Sequence, residues 1–175
     1  MKKLLNFIQF QAVWFICILG AAQQWELTAL FISLGILIWA VLISENRQHD
    51  LYLILIGICL GFVIDTAMIQ LGLMSFTTHY WQSVSPVWMS LIWAALVLTL
   101  QSSMSWLSHR YLLAAILGAI SGPFAYWAGV RMGAGSFNDF HLAIVALSVI
   151  WCLVTPFLFY CSNQLKATHH VSSQV

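Results

Sequence analysis

The stretch LYLILIGICLGFVIDTAMIQLGL, residues 51–73, decides the fold class. Thirteen of its residues are Leu, Ile, Val or Phe, and Asp65 is its one charged side chain. A membrane-spanning helix needs roughly 20 mostly apolar residues. In lipid every backbone N–H and C=O must bond internally, so a run of this length predicts a helix. An acidic side chain near the bilayer centre costs about 2.5–3.5 kcal/mol, and each large aliphatic or Phe returns about 0.3–0.6 kcal/mol. Insertion is therefore feasible, provided that Asp65 faces protein or water rather than lipid.

Outward from this segment the chain repeats the same composition. Apolar stretches run over about 4–22, 25–43, 51–73, 86–106, 111–130 and 141–160. Of the 175 residues 62% are hydrophobic and 6% charged, against about 25% charged in an ordinary soluble domain. The expected fold is all-α, a polytopic membrane helix bundle of about six transmembrane helices. It forms one domain over residues 1–165, followed by a polar cytoplasmic tail, 166–175. Connections are short, and Ser85-Pro86 carries a helix-start signature, with Ser as cap and Pro at the first helical position. Gly133-Ala134-Gly135-Ser136 reads as a flexible turn. No internal repeat or low-complexity linker is evident.

Basic residues orient the bundle. Lys2, Lys3, Arg47, Arg110 and Lys166 fall at alternate helix ends, hence on one side, and Arg131 falls on the other. The positive-inside rule places that richer side, with both termini, in the cytoplasm. Trp25, Trp81 and Trp88 are expected near the outer interface and Trp106 near the inner one. Arg131 has Glu26 and Asp139 as candidate partners. The start, Met1-Lys2-Lys3 before an apolar run and Gly20-Ala21-Ala22, imitates a secretory signal. Asn6, Gln9 and Gln11 weaken its apolar segment and five further spans follow, so the first stretch is expected to stay as a span. A net charge of +1 gives no reason to invoke nucleic acid, and the bilayer is the expected partner.

Chemistry within the spans is sparse. Gly57, Gly61 and Asp65 recur every fourth residue, and Met68 and Gly72 extend that face. Ala114, Gly118, Gly122, Ala125 and Gly129 form a matching stripe on the fifth helix. Small residues let helices approach closely, within a chain or between chains. A homo-oligomer or a membrane partner protein is compatible with these stripes. Pro123 removes a backbone donor and disturbs the carbonyl of Ala119. Such a break can open a ligand site, as in transporters. Asn6, Gln9, Cys17 and Gly20 share one face of the first helix, and His141, Ser148, Cys152 and Thr155 share one of the sixth.

The six histidines and four cysteines show no metal-ligand spacing: His49, His79 and His109 lie in loops and His169-His170 in the tail. No nucleophile–base arrangement, phosphate loop or carboxylate pair supports an enzyme, and no cofactor is indicated.

Several blocks together resemble a proteobacterial inner-membrane family known as a domain of unknown function. They are Phe10-Gln11-Ala12-Val13-Trp14-Phe15 with Leu19-Gly20-Ala21, Gly61-Phe62-Val63-Ile64-Asp65, Pro86-Val87-Trp88 and Gly122-Pro123-Phe124-Ala125-Tyr126-Trp127-Ala128-Gly129. The resemblance spans most of the chain and implies a bacterial inner-membrane location. It also suggests a link to membrane-lipid, fatty-acid modification. Gly61, Phe62 and Asp65 are similar, more loosely, to the third helix of substrate-binding subunits of vitamin transporters and of the small membrane subunit of the rod-shape machinery.

The candidate buried polar site is thus Asp65, Gly122, Pro123, Tyr126 and Gln11, with Gly57, Gly61, Gly72, Gly118 and Gly129 as packing positions. Three readings follow: a non-enzymatic module binding a small ligand or a partner, with helices one, three and five at its centre; an accessory or enzyme of lipid modification; and a structural scaffold.

Overall fold

The apolar stretches become helices, and the polar residues between them set where each helix starts and stops. A computed structural model describes residues 2–78 and 82–172, without the side chains of Lys2 and of residues 167–172. Expectations for His79, Trp81, His169 and His170 as side chains lie outside the described residues. In order, the elements are α1 Lys2–Ala22, α2 Glu26–Leu42, α3 Arg47–Gln70, β1 Met74–Phe76, α4 Val87–Val97, a single 3-10 turn Ser105–Leu107, α5 Tyr111–Arg131, β2 Gly135–Phe137 and α6 Phe140–Ser172. Four helical segments, Lys3–Ala22, Arg47–Gln70, Tyr111–Arg131 and Phe140–Lys166, are long and apolar enough to cross a membrane, while α2 and α4 are shorter. Their outer faces carry Phe31, Leu112, Ile120, Phe124 and Leu153, each more than three-fifths exposed. Apolar patches on that scale mark a surface that meets lipid or protein rather than water.

Helix ends differ from the sequence expectation where side chains cap the backbone. The third helix begins at Arg47, not 51, because the Asn46 side chain accepts a hydrogen bond from His49 N (3.4 Å). The sixth runs to Ser172, so most of the expected polar tail continues the helix. Asp139 caps it, its Oδ1 accepting from Leu142 N at 2.9 Å.

The fourth expected span, 86–106, is not one helix. Its helical part stops at Val97, and eleven residues rise only about 16 Å, half the hydrocarbon thickness. The following Thr99, Ser102, Ser103 and Ser105 are residues that divert local hydrogen bonds from a helix. Thr99 Oγ1 donates to Leu96 O (2.6 Å), and residues 98–104 proceed through turns. Asn6 on α1 ties this irregular segment down. Its amide donates to Leu98 O (3.1 Å), and its Oδ1 accepts from Ser103 N (3.3 Å) and Ser103 Oγ (2.8 Å).

At the opposite end a small ribbon departs from a purely α fold. Strands β1 and β2 pair antiparallel, Met74 with Phe137, Ser75 with Ser136 and Phe76 with Gly135. The Ser75 and Ser136 hydroxyls meet at 2.9 Å. The 133–136 segment is therefore a helix cap and a strand, not a free turn. Gly72 (φ 67°) and Gly133 (φ 96°) end α3 and α5 in the left-handed region, which L residues enter at a cost of about 1–2 kcal/mol. Gly72 N bonds Ile69 O and Leu73 N bonds Met68 O; Gly133 N bonds Val130 O and Ala134 N bonds Gly129 O. Both are Schellman caps. Gly72 is thus a capping residue and not a packing one, since a Cβ there would meet nothing within 4 Å.

These matching caps reveal an internal repeat, against the expectation of none. Residues 57–76, GICLGFVIDTAMIQLGLMSF, align without gaps on 118–137, GAISGPFAYWAGVRMGAGSF, with Gly57/Gly118, Gly61/Gly122, Ala67/Ala128, Gly72/Gly133, Ser75/Ser136 and Phe76/Phe137 identical. Each copy is a helix, a glycine cap and a strand, followed by a returning helix. The helices pack accordingly: α3 on α4, α5 on α6, and α3 across to α6. The first pair packs outside this four-helix unit, α1 on α2 and both on α4. The centre is therefore α3 to α6 and not helices one, three and five.

Asn6→Ala should leave the carbonyl of Leu98 and the N–H of Ser103 without their partner, at about 1–3 kcal/mol. A lowered Tm in detergent, with faster hydrogen exchange confined to residues 98–104, is the expected result.

Candidate functional site

Glycines at the fourth-residue spacing serve as seats for aromatic rings. Gly61 on α3 receives the Trp93 indole of α4, where an added Cβ would overlap the ring. Gly122 on α5 receives the Trp151 indole of α6 in the same manner. The two indoles stack on each other, centroids 4.9 Å apart and planes within 11°. One turn away, Gly57 lies against Val97 and the Trp93 carbonyl, and Gly118 against Thr155 and the Trp151 carbonyl. Gly129 faces Ile18 of α1 at 3.0 Å from a notional Cβ.

One turn in the other direction from the two seats stand Asp65 and Tyr126, equivalent positions in the two copies. They bond to each other: the Tyr126 hydroxyl donates to Asp65 Oδ1. Trp93 Nε1 donates to Asp65 Oδ2 at 2.9 Å. Asp65 is fully buried and Tyr126 nearly so. Both carboxyl oxygens are thus satisfied by neutral donors from α4 and α5, and among the described residues no ion pair reaches Asp65. Tyr126 also meets the Trp151 ring edge-on at 6.4 Å. Among the described residues, Trp151 Nε1 itself is buried without a partner.

Of the sequence candidates, the structure brings Asp65, Gly122 and Tyr126 together, with Gly57, Gly61 and Gly118 around them. Pro123 is buried inside α5, which continues through it. Gln11 stays apart, half-buried on α1 with no hydrogen bond to a described residue. Of the other polar faces, Cys17 pairs with Ser33 of α2 (3.3 Å) and Thr155 bonds back to Trp151 O (2.9 Å). Beside Tyr126, between α1, α4, α5 and the ribbon, Trp14, Phe76, Trp88 and Met89 line a half-open pocket of about 30 Å³. That is room for a water and not for a substrate. The Asp65 centre is closed.

The roomy site lies at the other end, where the sequence pointed to no chemistry. A cavity of about 510 Å³ is lined by Leu5, Asn6 and Gln9 of α1, the 43–46 corner, His49 and Asp50 of α3, Leu98, Gln101 and Ser102 of the irregular segment, and Lys166 of α6. Its volume falls within the range of small-ligand sites, about 300–1,000 Å³. A polar network stiffens its wall: His49 Nε2 meets Ser162 O at 3.0 Å, Gln101 Nε2 donates to Ser162 Oγ at 2.6 Å, and Asn163 Nδ2 donates to Ser108 O at 2.7 Å. The side chains of Gln9 and Ser102 have no hydrogen-bond partner among the described residues. The run Thr-Leu-Gln-Ser-Ser-Met-Ser, residues 99–105, held the clue, because it is too polar for the interior of a lipid-facing helix.

Asp65→Asn and Tyr126→Phe should each destabilise the bundle by about 1–3 kcal/mol, since each leaves a buried group short of a partner. The double variant should lose less than the sum, by about 0.5–2 kcal/mol, because the two groups share one bond. Unfolding of the four proteins in detergent measures the coupling, and strict additivity would contradict the bond.

A family model described as "Protein of unknown function (DUF2878)" matches residues 3–157. No curated protein and no solved structure matches the chain. The match covers most of the chain and includes α1 to α5, the ribbon and the seats of both indoles, so this chain belongs to the DUF2878 family.

Proposed function

We propose that the chain is a membrane-embedded module that binds a small ligand without transforming it, in the cavity where α4 breaks. One observation carries this reading: non-helical backbone at residues 98–104 borders an open cavity, lined by apolar, polar and charged side chains, at one end of an otherwise apolar bundle. At membrane depth such backbone is tolerated where it is buried in protein or lines a water-filled cavity, and interrupted helices are where membrane transporters place their ligands. The six helices are read as six spans, α4 with its irregular extension completing the fourth. Five of the six Lys and Arg residues fall on the side of the cavity, which supports a cytoplasmic face for it and for both termini. A bacterial inner membrane is the compartment that fits this asymmetry and the family resemblance.

A second reading concerns Asp65. Its two neutral bonds and the absence of space around it favour a scaffold role, in which the carboxyl ties α3, α4 and α5 together.

Native mass spectrometry of the full chain released from its own membranes tests the proposal. The wild type should retain a non-protein mass that Ser102→Trp, which fills the cavity, loses without a matching fall in Tm. Identical retained masses in the two proteins would overturn the reading.

A further inference from the structure

His49 is the one histidine side chain that the fold buries among the described residues, with 2% of its surface exposed. It sits not in a loop but in the first turn of α3, three residues after the Asn46 cap. Both ring nitrogens face oxygens. Nε2 lies 3.0 Å from the carbonyl of Ser162 on α6, and Nδ1 lies 3.4 Å from Asp50 Oδ1. A carbonyl and a carboxylate only accept hydrogen bonds, so each contact needs a hydrogen on the ring. The imidazolium has two and satisfies both. The neutral ring has one, and it must leave one contact bare. Charge-assisted bonds are about twice as strong as neutral ones, so the neutral ring gives its hydrogen to Asp50. The bond it loses is the one to α6.

We infer that His49 is a proton-operated latch, which ties the start of α3 to α6 when charged and releases α6 when neutral. His49 lines the larger cavity, and Ser162 also accepts from Gln101 there, so the latch sets how firmly that border is held. It needs no ligand in the cavity. The charges around it are few. Asp50 holds the imidazolium, and Lys166, one turn past Ser162 on α6, opposes it. Glu45 has a partner of its own, and Arg47 bonds back to Leu42 O. The polar side chains that α1 and the irregular segment bring to this cavity, Asn6, Gln9, Gln101 and Ser102, are uncharged. The tie to α6 is complete on the acidic side of the histidine range, about pH 6.5, and it is lost as pH rises through that range.

Thermal unfolding of the purified full chain in detergent, between about pH 5 and pH 8, reads the latch. The wild-type Tm should fall across this window by about 2–4 °C, as for one hydrogen bond in a chain of this size. His49→Gln can still donate to Ser162 O but does not titrate, so its profile should lose this step. Asp50→Asn removes the competing carboxylate and lets the neutral ring keep Ser162, so its step should vanish too. Lys166→Gln should move the step to higher pH. Ser102→Trp should keep it, which separates the latch from the release of a bound ligand. A wild-type step in both His49→Gln and Asp50→Asn would overturn the latch. Nitrogen NMR of the buried ring in the wild type gives a second reading that needs no variant to fold. Above the histidine range its hydrogen should reside on Nδ1, and a hydrogen that stays on Nε2 would overturn the release from α6.

Discussion

A carboxyl group taken out of water must find partners for both oxygens, and the rest of the core is arranged so that Asp65 does. An unpaired buried charge is among the costliest features a fold can carry. Trp93 can reach Oδ2 because Gly61, one turn earlier on the same helix as Asp65, leaves space for its indole ring. Tyr126 reaches Oδ1 from α5, and the Trp151 indole fills the place that Gly122 leaves open below it. Stacking of the two indoles then links α4 to α6 through their side chains. Remove either glycine and a ring must leave, and with Trp93 goes one of the two bonds to the carboxyl.

The ribbon holds the same register from above. Its central pair, Ser75 and Ser136, sits at the same distance along the chain from Asp65 and from Tyr126. Any slip of one strand would displace one helix along the other and part the carboxyl from the hydroxyl. The repeat thus explains why the two glycine caps, the two glycine seats and the two polar residues occur with one common spacing of 61 residues. Divergence is concentrated at the point of contact. Two identical acids facing each other would repel, whereas an acid and a phenol form a hydrogen bond.

The helical membrane architecture was legible in composition, because long apolar runs in lipid have one solution. The packing role of Gly57, Gly61, Gly118, Gly122 and Gly129 was legible as well, since small residues at fourth positions imply close contact. What the glycines contact was not, because Trp93 and Trp151 are distant in sequence and read simply as membrane aromatics. Gly72 was misread because fourth-residue spacing extends past a helix end as readily as along it; only the backbone φ separates a cap from a seat. Gln11 shared a block with conspicuous neighbours but has no hydrogen bond to a described residue. The break after Val97 was hidden by apolar Leu98, Leu100 and Leu107, which average out the hydroxyls between them.

Two polar centres in one small bundle thus have opposite characters. At Asp65 both bonded partners are neutral, the carboxyl oxygens are occupied, and the adjoining pocket of about 30 Å³ has room for water alone. Around the larger cavity the side chains are mixed in charge, the bordering backbone at 98–104 is irregular, and the side chains of Gln9 and Ser102 have no hydrogen-bond partner among the described residues. Tight satisfaction in a low-dielectric interior raises the cost of disturbing a polar group, which suits a joint between helices and not a site that must exchange its occupant. Exchange requires partners that water or a ligand can replace at similar cost. That condition is met where α4 gives way to turns, so the irregular segment, which looks like the weakest part of the helical fold, is where the proposed ligand would find exchangeable partners.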